Sequence, residues 1–212
     1  PDLRVAGEHF RRRVPDVDAR IPDRRALGRR KRPSGAVGKF ERIGGLQVAV
    51  GGLDILRRGG NAIDAGVAVG LALNVVHAHE CNFLGVAPTI MYLADRREVV
   101  TIDGLGVWPQ AASVDYFQQH HQGKLPAGIL RALTPGAADA WFTALRQYGT
   151  MRFADVAAAA MSLADHGFPT YRYLAAEIKN SPETYTRWPA SAAIFLPQGR
   201  PPRVGEIFYQ KD

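Results

Sequence analysis

Residues 62–76 are the longest apolar stretch of the chain, and a helix running through residues 65–73 of this stretch would be apolar on nearly every side. Alanine, glycine and branched aliphatic residues fill this stretch, and only Asp64 and Asn74 interrupt it with polar side chains. A helix without a polar face must be buried on most sides. Its alanines and glycines also allow neighbouring backbones to come close. The sequence therefore predicts a buried helix running through residues 65–73, packed closely against its neighbours.

The residues before this helix carry strong boundary signals. Gly59 and Gly60 suit the end of a short helix over residues 53–58, because glycine adopts the left-handed conformation that ends many helices. Asn61 is a favourable N-cap, and an acid three residues later stabilises the positive end of the helix dipole. Upstream, residues 46–50 alternate and include β-branched valines, which predicts a strand that ends at the next glycine pair.

The remaining segments complete an α+β pattern. Residues 88–93 and 98–102 are strand candidates joined by the polar connection 94–97, which predicts a hairpin. The later predicted helices cover residues 135–148, 153–165 and 171–179. The tail from residue 189 is interpreted as rich in loops. Strands and helices without regular βαβ alternation indicate the α+β class.

The net charge of the chain is confined to one end. The 212 residues carry a formal charge of +7, but residues 1–42 hold 13 basic and 6 acidic side chains, and the rest is balanced. Prolines and like charges predict a basic, poorly ordered arm over residues 1–42, lying over the body or a partner subunit. Nucleic acid is not an expected partner, because Phe10 is the one aromatic residue before Phe40 available for base stacking.

Cysteine content and hydropathy exclude two further classes. A single cysteine, Cys81, excludes an intrachain disulfide framework and a multi-cysteine zinc site. No run approaches the roughly 18 apolar residues needed to span a bilayer. No signal peptide is visible, but the chain begins at Pro1 rather than Met, so the cellular compartment is left open.

Familiar catalytic motifs are absent, and one cluster of reactive side chains stands out. The serine nucleophile elbow and the phosphate-binding glycine loops do not occur. His77, His79, Glu80 and Cys81 lie within five residues, and zinc binding, a Cys–His thiolate pair and a simple turn are the alternatives. Alternate residues do not converge easily on one ion, so the turn is favoured, and no metal or cofactor is predicted. The three tryptophans are interpreted as core residues.

Several segments together resemble one enzyme family, the γ-glutamyltransferases (γ-glutamyltranspeptidases). Residues 52–65, with Gly-Gly-Asn-Ala-x-Asp at positions 59–64, resemble the start of that family most specifically. The likeness continues in order and at matching spacing over about residues 44–210. The matching segments are Val75-Val76-His77, Thr101-Ile102-Asp103-Gly104, Thr134-Pro135-Gly136, Tyr148-Gly149-Thr150 and residues 163–168 and 193–201.

The resemblance implies the αββα sandwich of the N-terminal nucleophile (Ntn) hydrolases. In that family a precursor cleaves itself, and the new N-terminal Thr of the small subunit attacks an amide. No equivalent Thr occurs here, so residues 43–212 resemble the N-terminal part of a large subunit, an incomplete domain without a catalytic residue. The implied partners are the small catalytic subunit from the same precursor and a small-molecule acyl-amide substrate. The oligomeric state is open, and family members are often periplasmic or secreted, with a cytoplasmic location also open.

Two departures from the family pattern concern the substrate. The candidate substrate-binding residues are Asp103, Leu105 and Gly106, and Leu105 stands where the family has an Arg that binds the α-carboxylate of the γ-glutamyl group. A leucine cannot pair with a carboxylate. The family's glycine-rich stretch is replaced by the bulkier residues 82–90. These departures predict an altered acyl specificity. The alternatives are a true γ-glutamyltransferase that uses a different Arg, and an inactive relative that acts as a binding module.

Overall fold

The structure, a computed structural model, describes residues 44–210. The arm predicted for residues 1–42 lies outside the described residues. The helices are α1 (Gly44–Arg57), α2 (Ala62–Val76), α3 (Val114–His121), α4 (Ala137–Tyr148), α5 (Phe153–His166), α6 (Arg172–Asn180), α7 (Pro182–Thr186) and α8 (Pro189–Phe195). The strands are β1 (Thr89–Leu93), β2 (Glu98–Ile102), β3 (Phe168–Pro169) and β4 (Ile207–Phe208). Within residues 44–210, none of the helices combines the length and hydropathy that a membrane crossing needs.

Helix α2 is the centre of the packing, as its sequence predicts. Helices α1, α4 and α5 pack against it. Ala68 and Ala72 are completely buried, and Gly70 lies against the ring of Trp141, where an added Cβ would come within 3.1 Å of it. The small residues of α2 keep these contacts short. The helix contributes residues to two hydrophobic clusters, one shared with α5 and one shared with α6 and the sheet of β3 and β4.

The predicted cap of α2 is present and extends into a buried network. The Asn61 side chain accepts from the backbone N–H of Asp64 at 3.0 Å, and the Asp64 carboxylate accepts from the Asn61 N–H at 2.8 Å. Thr150 donates to Asp64 from its backbone N–H and its hydroxyl, and the Met151 N–H also donates. The Asn61 amide donates to the Tyr148 carbonyl at 2.7 Å. The cap therefore joins the start of α2 to the connection between α4 and α5.

The strand predicted for residues 46–50 is wrong, because these residues belong to helix α1. Val48 and Ile55 are buried seven residues apart, and Gly51 and Gly52 lie between them on the same face. An added Cβ at Gly52 would come within 2.6 Å of the Val69 side chain. The glycine pair is thus a close contact between helices and not the end of a strand. Burial against α2 outweighs the strand preference of the valines.

The hairpin prediction is confirmed, and so is the α+β class of the described residues. Strands β1 and β2 pair antiparallel from Thr89 opposite Ile102 to Leu93 opposite Glu98. The three later predicted helices are α4, α5 and α6, with boundaries shifted by one or two residues. The tail contains more regular structure than predicted, because α8 forms and β4 pairs with β3. Phe168 and Phe208 lie opposite each other in this pairing, and both are buried. They are far apart in sequence, so no local pattern predicts their contact.

The core assignment of the tryptophans holds for one of the three. Trp141 packs, partly buried, against the cluster formed by α2 and α5. Trp108 and Trp188 are instead exposed, with 40% and 55% of their surface accessible. Both exposed tryptophans lie outside the main helices, where fewer elements can cover them. Residue type alone therefore does not predict which tryptophans are buried.

Candidate functional site

Three backbone segments that are far apart in sequence meet between β2 and α4. We call residues 85–87, 104–107 and 134–137 the three-loop platform. Four backbone hydrogen bonds of 2.8–3.1 Å connect its segments. They run from Ala87 N–H to the Gly104 carbonyl, from Thr134 N–H to the Val107 carbonyl, and from Gly136 and Ala137 N–H to the Gly85 carbonyl.

The glycines of this platform allow the segments to approach so closely. Gly104 and Gly106 have φ values of +57° and +73°, in the left-handed region that favours glycine. A Cβ at Gly106 would overlap the carbonyl oxygen of Thr134, and a Cβ at Gly104 would overlap the backbone of Ala87. The platform is therefore a tightly packed backbone structure that begins helix α4.

The structure places the three predicted substrate-binding residues in different surroundings. Gly106 is part of the platform and packs against the turn before α4. Asp103 and Leu105 are exposed, and Leu105 has 44% of its surface accessible. The side chain of Leu105 is thus an apolar group on an open surface at the rim of the platform. Whether the three residues bind substrate stays a prediction.

A cavity of about 580 Å³ lies beside the platform. Its walls are formed by the second half of α2, the turn after α2, residues 131–133 and the aromatic ring of Trp141 in α4. The lining residues are Gly70, Leu73, Asn74, Glu80, Cys81, Asn82, Leu84, Gly85, Val86, Arg131, Ala132, Leu133 and Trp141. Asp103, Leu105 and Gly106 are not among them. The volume suits a small molecule.

Two polar residues of this cavity were not predicted from the sequence. The side-chain nitrogen of Asn74 is buried and has no hydrogen-bond partner among the described residues. Arg131 donates from Nε and Nη2 to the Leu125 carbonyl, and within residues 44–210 its guanidinium contacts no carboxylate. Both side chains can donate to an acceptor in the cavity. Asn74 gave a signal, since it is a polar residue in an apolar helix, but nothing local marks Arg131.

The turn after α2 organises the reactive side chains found in the sequence. The N–H groups of Glu80 and Cys81 both donate to the His77 carbonyl, which folds the chain back on itself. His77 Nε2 lies 2.8 Å from Glu80 Oε2, and His77 Nδ1 lies 2.6 Å from the Tyr171 hydroxyl. Tyr173 donates to the other oxygen of Glu80 at 2.7 Å. Two tyrosines from the start of α6 therefore hold the turn in place.

The side chain of His79 lies in this turn without a hydrogen-bond partner among residues 44–210. Both of its ring nitrogens are buried and have no partner among the described residues. Burial, followed by the proximity of His77, lowers the pKa of His79 to about 4. The imidazole is therefore neutral at neutral pH, with one nitrogen free to accept or to bind an ion.

The turn at the end of α2 is confirmed, but one argument about it is wrong. The sequence suggested that alternate residues do not converge, yet donor atoms of His77, His79 and Glu80 lie within 4.8 Å of one another. The bend at the helix end brings them together. The thiolate pair receives no support, because burial, and then the charge of Glu80, raises the pKa of Cys81. The Cys81 thiol therefore stays protonated at neutral pH.

Comparisons with known proteins give a consistent family assignment. The family model for gamma-glutamyltranspeptidase matches residues 49–212. The acylase ACY 1 proenzyme of Pseudomonas sp. strain V22 is 36% identical over 171 residues, which cover 76% of this chain and 30% of that protein. The glutathione hydrolase proenzyme of Bacillus subtilis strain 168 is 31% identical over 166 residues, covering 76% and 28%.

The solved structures agree with this result. The crystal structure of Helicobacter pylori gamma-glutamyltranspeptidase superposes with a TM-score of 0.73 at 30% identity, covering 78% of this chain and 49% of that one. The chain spans about 30% of the length of the curated relatives it matches. It belongs to the gamma-glutamyltranspeptidase family and corresponds to the N-terminal part of such a protein.

Proposed function

We propose that this chain is the N-terminal part of the large subunit of a self-cleaving amide hydrolase or acyltransferase. The observation that carries the proposal is the family match over residues 49–212, with relatives named as proenzymes that are about three times longer. In this proposal residues 43–212 are an incomplete domain. The hairpin of β1 and β2 then contributes to an αββα sandwich that later residues of the precursor complete.

The proposed reaction assigns the bond-making steps to the small subunit. The hydroxyl oxygen of its N-terminal Thr attacks the amide carbonyl carbon, and its α-amine takes the proton. Hydrogen-bond donors stabilise the resulting oxyanion, the amine leaves, and water or another amine then accepts the acyl group. In this scheme residues of the present chain bind and orient the acyl group. The three-loop platform and the adjoining cavity are the surfaces proposed for that task.

The proposed substrate has an acyl group without the α-carboxylate of a γ-glutamyl group. Leu105 is exposed at the rim of the platform and presents an apolar side chain. A carboxylate placed against it would lose water without gaining a partner. The named relatives include both an acylase and glutathione hydrolases, at similar identities. The family therefore accommodates more than one acyl group. The apolar Leu105 favours a substrate of the acylase type over a γ-glutamyl substrate.

Self-cleavage of the complete gene product is the first test. Intact-mass measurement and denaturing electrophoresis are expected to show two polypeptides, with Thr at the new N-terminus of the smaller one. Replacing that Thr with Ala is expected to leave a single uncleaved and inactive chain. A complete reading frame without a Thr or Ser nucleophile would contradict the proposal. An uncleaved wild-type product without hydrolase activity would favour an inactive relative.

Leu105→Arg is expected to move the specificity toward γ-glutamyl substrates. The new guanidinium can form charge-assisted hydrogen bonds with an α-carboxylate, and a gain of about 1.4 kcal/mol corresponds to a tenfold effect. We expect kcat/KM for a γ-glutamyl anilide to rise about tenfold relative to an acyl anilide without the α-carboxylate. Leu105→Gln, polar but uncharged, is the matched control and should change this ratio little. An unchanged ratio in Leu105→Arg would show that residue 105 does not face the acyl group.

A true γ-glutamyltransferase is the second candidate, and Arg131 is the observation in its favour. The side chain lines the cavity and has no carboxylate partner within residues 44–210. If it binds the α-carboxylate, wild-type protein should prefer the γ-glutamyl anilide, and Arg131→Gln should raise KM for this substrate selectively. Arg146→Gln is the control, because Arg146 is exposed on α4 and does not line the cavity. Equal kinetics in both variants would exclude this role for Arg131.

A further inference from the structure

The turn after α2 has the composition of a metal site with three protein ligands. His77, His79 and Glu80 supply two imidazoles and one carboxylate, and their donor atoms lie within 4.8 Å of one another. Two histidines and a glutamate form one of the common ligand sets of zinc sites that keep a coordination position open. A tetrahedral Zn²⁺ holds its ligands about 3.4 Å apart, given bonds of about 2.1 Å. Modest side-chain rotations therefore close the site, and Glu80, with 52% of its side chain exposed, has room to move.

His79 gives independent evidence for a ligand-binding site at this turn. Both of its ring nitrogens are buried without a partner among the described residues. Buried polar atoms normally have hydrogen-bond partners or coordinate an ion. The ring of His79 also packs edge-on against that of His77, with centroids 4.2 Å apart, so the imidazole is held beside the second ligand.

The neighbouring tyrosines form the outer layer that metal ligands usually have. The Tyr171 hydroxyl contacts His77 Nδ1, the ring nitrogen that points away from Glu80. The Tyr173 hydroxyl donates to Glu80 Oε1, which leaves Oε2 directed at His77. Such contacts orient the side chains that bind a metal directly, and they set which ring nitrogen of a histidine carries the proton. The two tyrosines thus hold His77 and Glu80 side by side, so that only a small rotation of the exposed Glu80 side chain is needed to admit an ion between them.

We propose that His77 Nε2, one ring nitrogen of His79 and the carboxylate of Glu80 bind a single Zn²⁺ ion. The ion replaces the hydrogen bond between His77 Nε2 and Glu80 Oε2, and the Nε2 proton moves to Nδ1 by exchange with water. His77 then carries its ring proton on Nδ1 and donates it to the oxygen of Tyr171, because a hydroxyl can both accept and donate. Two neutral imidazoles and one carboxylate leave the Zn²⁺ site with a charge of +1.

The proposed ion lies at the edge of the cavity, and we infer that its remaining coordination position is reached from there. Glu80 is both a proposed ligand and a lining residue, and its neighbours Cys81 and Asn82 line the same cavity. Water or a small anion can occupy that position. The site therefore lies at the wall of the cavity beside the three-loop platform.

Zinc binding by the complete protein tests this assignment directly. The protein is stripped with a chelator, desalted and titrated with Zn²⁺ in competition with a chromophoric chelator. We expect one Zn²⁺ per chain, and Co²⁺ as a spectroscopic probe should give visible absorption typical of low coordination number. Glu80→Gln and His79→Ala are each expected to weaken Zn²⁺ binding by at least about 100-fold. Tyr171→Phe should weaken it by about 10- to 100-fold, as expected for an outer contact.

Control variants separate loss of ligands from loss of fold. Glu80→Gln preserves the size of an exposed side chain, and circular dichroism should match that of the wild-type protein. His166→Ala removes an exposed histidine at the end of α5 and should leave Zn²⁺ affinity unchanged. Absence of stoichiometric Zn²⁺ in the wild-type protein would overturn the proposal, as would wild-type affinity in His79→Ala. These readouts do not depend on self-cleavage or on hydrolase activity.

Discussion

Asp64→Asn is expected to destabilise the protein by about 3 kcal/mol, because Asp64 is a completely buried carboxylate with several donors. The backbone N–H groups of Asn61, Thr150 and Met151 and the hydroxyl of Thr150 all donate to it. An asparagine at this position has one acceptor oxygen, and its amide hydrogens would face groups that also donate. The start of α2 and the connection between α4 and α5 would lose their common acceptor.

Urea and thermal unfolding of the complete protein measure this effect. Asp54→Asn is the matched control, since Asp54 is exposed on α1 and forms a surface ion pair with Arg58 at 3.6 Å. Surface ion pairs contribute little, so the control should unfold near the wild-type midpoint. Equal midpoints for Asp64→Asn and Asp54→Asn would show that the buried network does not stabilise the fold.

The same carboxylate gives the stability a defined pH dependence. Burial acts to raise the pKa of Asp64, but the hydrogen bonds from Thr150, Asn61 and Met151 outweigh it and lower the pKa overall. An unfolded Asp has a pKa of about 3.9. The contribution of Asp64 is therefore fully present above that pH and disappears as the pH falls through the lower, folded value. The stability difference between wild-type protein and Asp64→Asn should shrink correspondingly in acid.

Gly106→Ala is expected to cost about 3 kcal/mol of stability and to distort the three-loop platform. An alanine at φ +73° is strained by about 1–2 kcal/mol. Its Cβ would also overlap the Thr134 carbonyl oxygen, and relieving such overlap by a backbone shift typically costs 1–3 kcal/mol. The thermal midpoint of the complete protein measures the loss.

Gly66→Ala is the control for this substitution. Gly66 lies on an exposed part of α2, and an added Cβ would meet no heavy atom within 4 Å. Alanine favours a helix over glycine by up to about 1 kcal/mol, so stability should stay constant or rise. A Gly106→Ala protein as stable as the wild type would mean that the platform is not as closely packed as its backbone distances indicate.

Elements with local boundary signals could be predicted from the sequence. Asn61 and Asp64 cap helix α2, whose start they predict, and Gly59 adopts the expected positive φ of +90°. The polar connection 94–97 joins two short strands in the predicted hairpin. These signals are reliable because they act between residues three or four positions apart. They require no information about the rest of the fold.

Elements decided by distant contacts could not be predicted in this way. Residues 46–50 alternate like a strand, but burial of Val48 against α2 and the later helices makes them helical. The pairing of Phe168 with Phe208 joins residues 40 positions apart, and a two-residue strand has no pattern of its own. Tertiary burial contributes more free energy than the small differences in intrinsic propensity.

The same distinction applies to the candidate site, because some of its features follow from the sequence and others only from the tertiary structure. The sequence by itself determined the family resemblance, the central helix and the departure at Leu105, because residue order carries these directly. Only the tertiary structure placed Asn74 and Arg131 at one cavity and brought His77, His79 and Glu80 within reach of a single ion. The direction of a side chain after a helix end depends on the elements packed around it. Here two tyrosines at the start of α6, Tyr171 and Tyr173, almost a hundred residues away, orient His77 and Glu80.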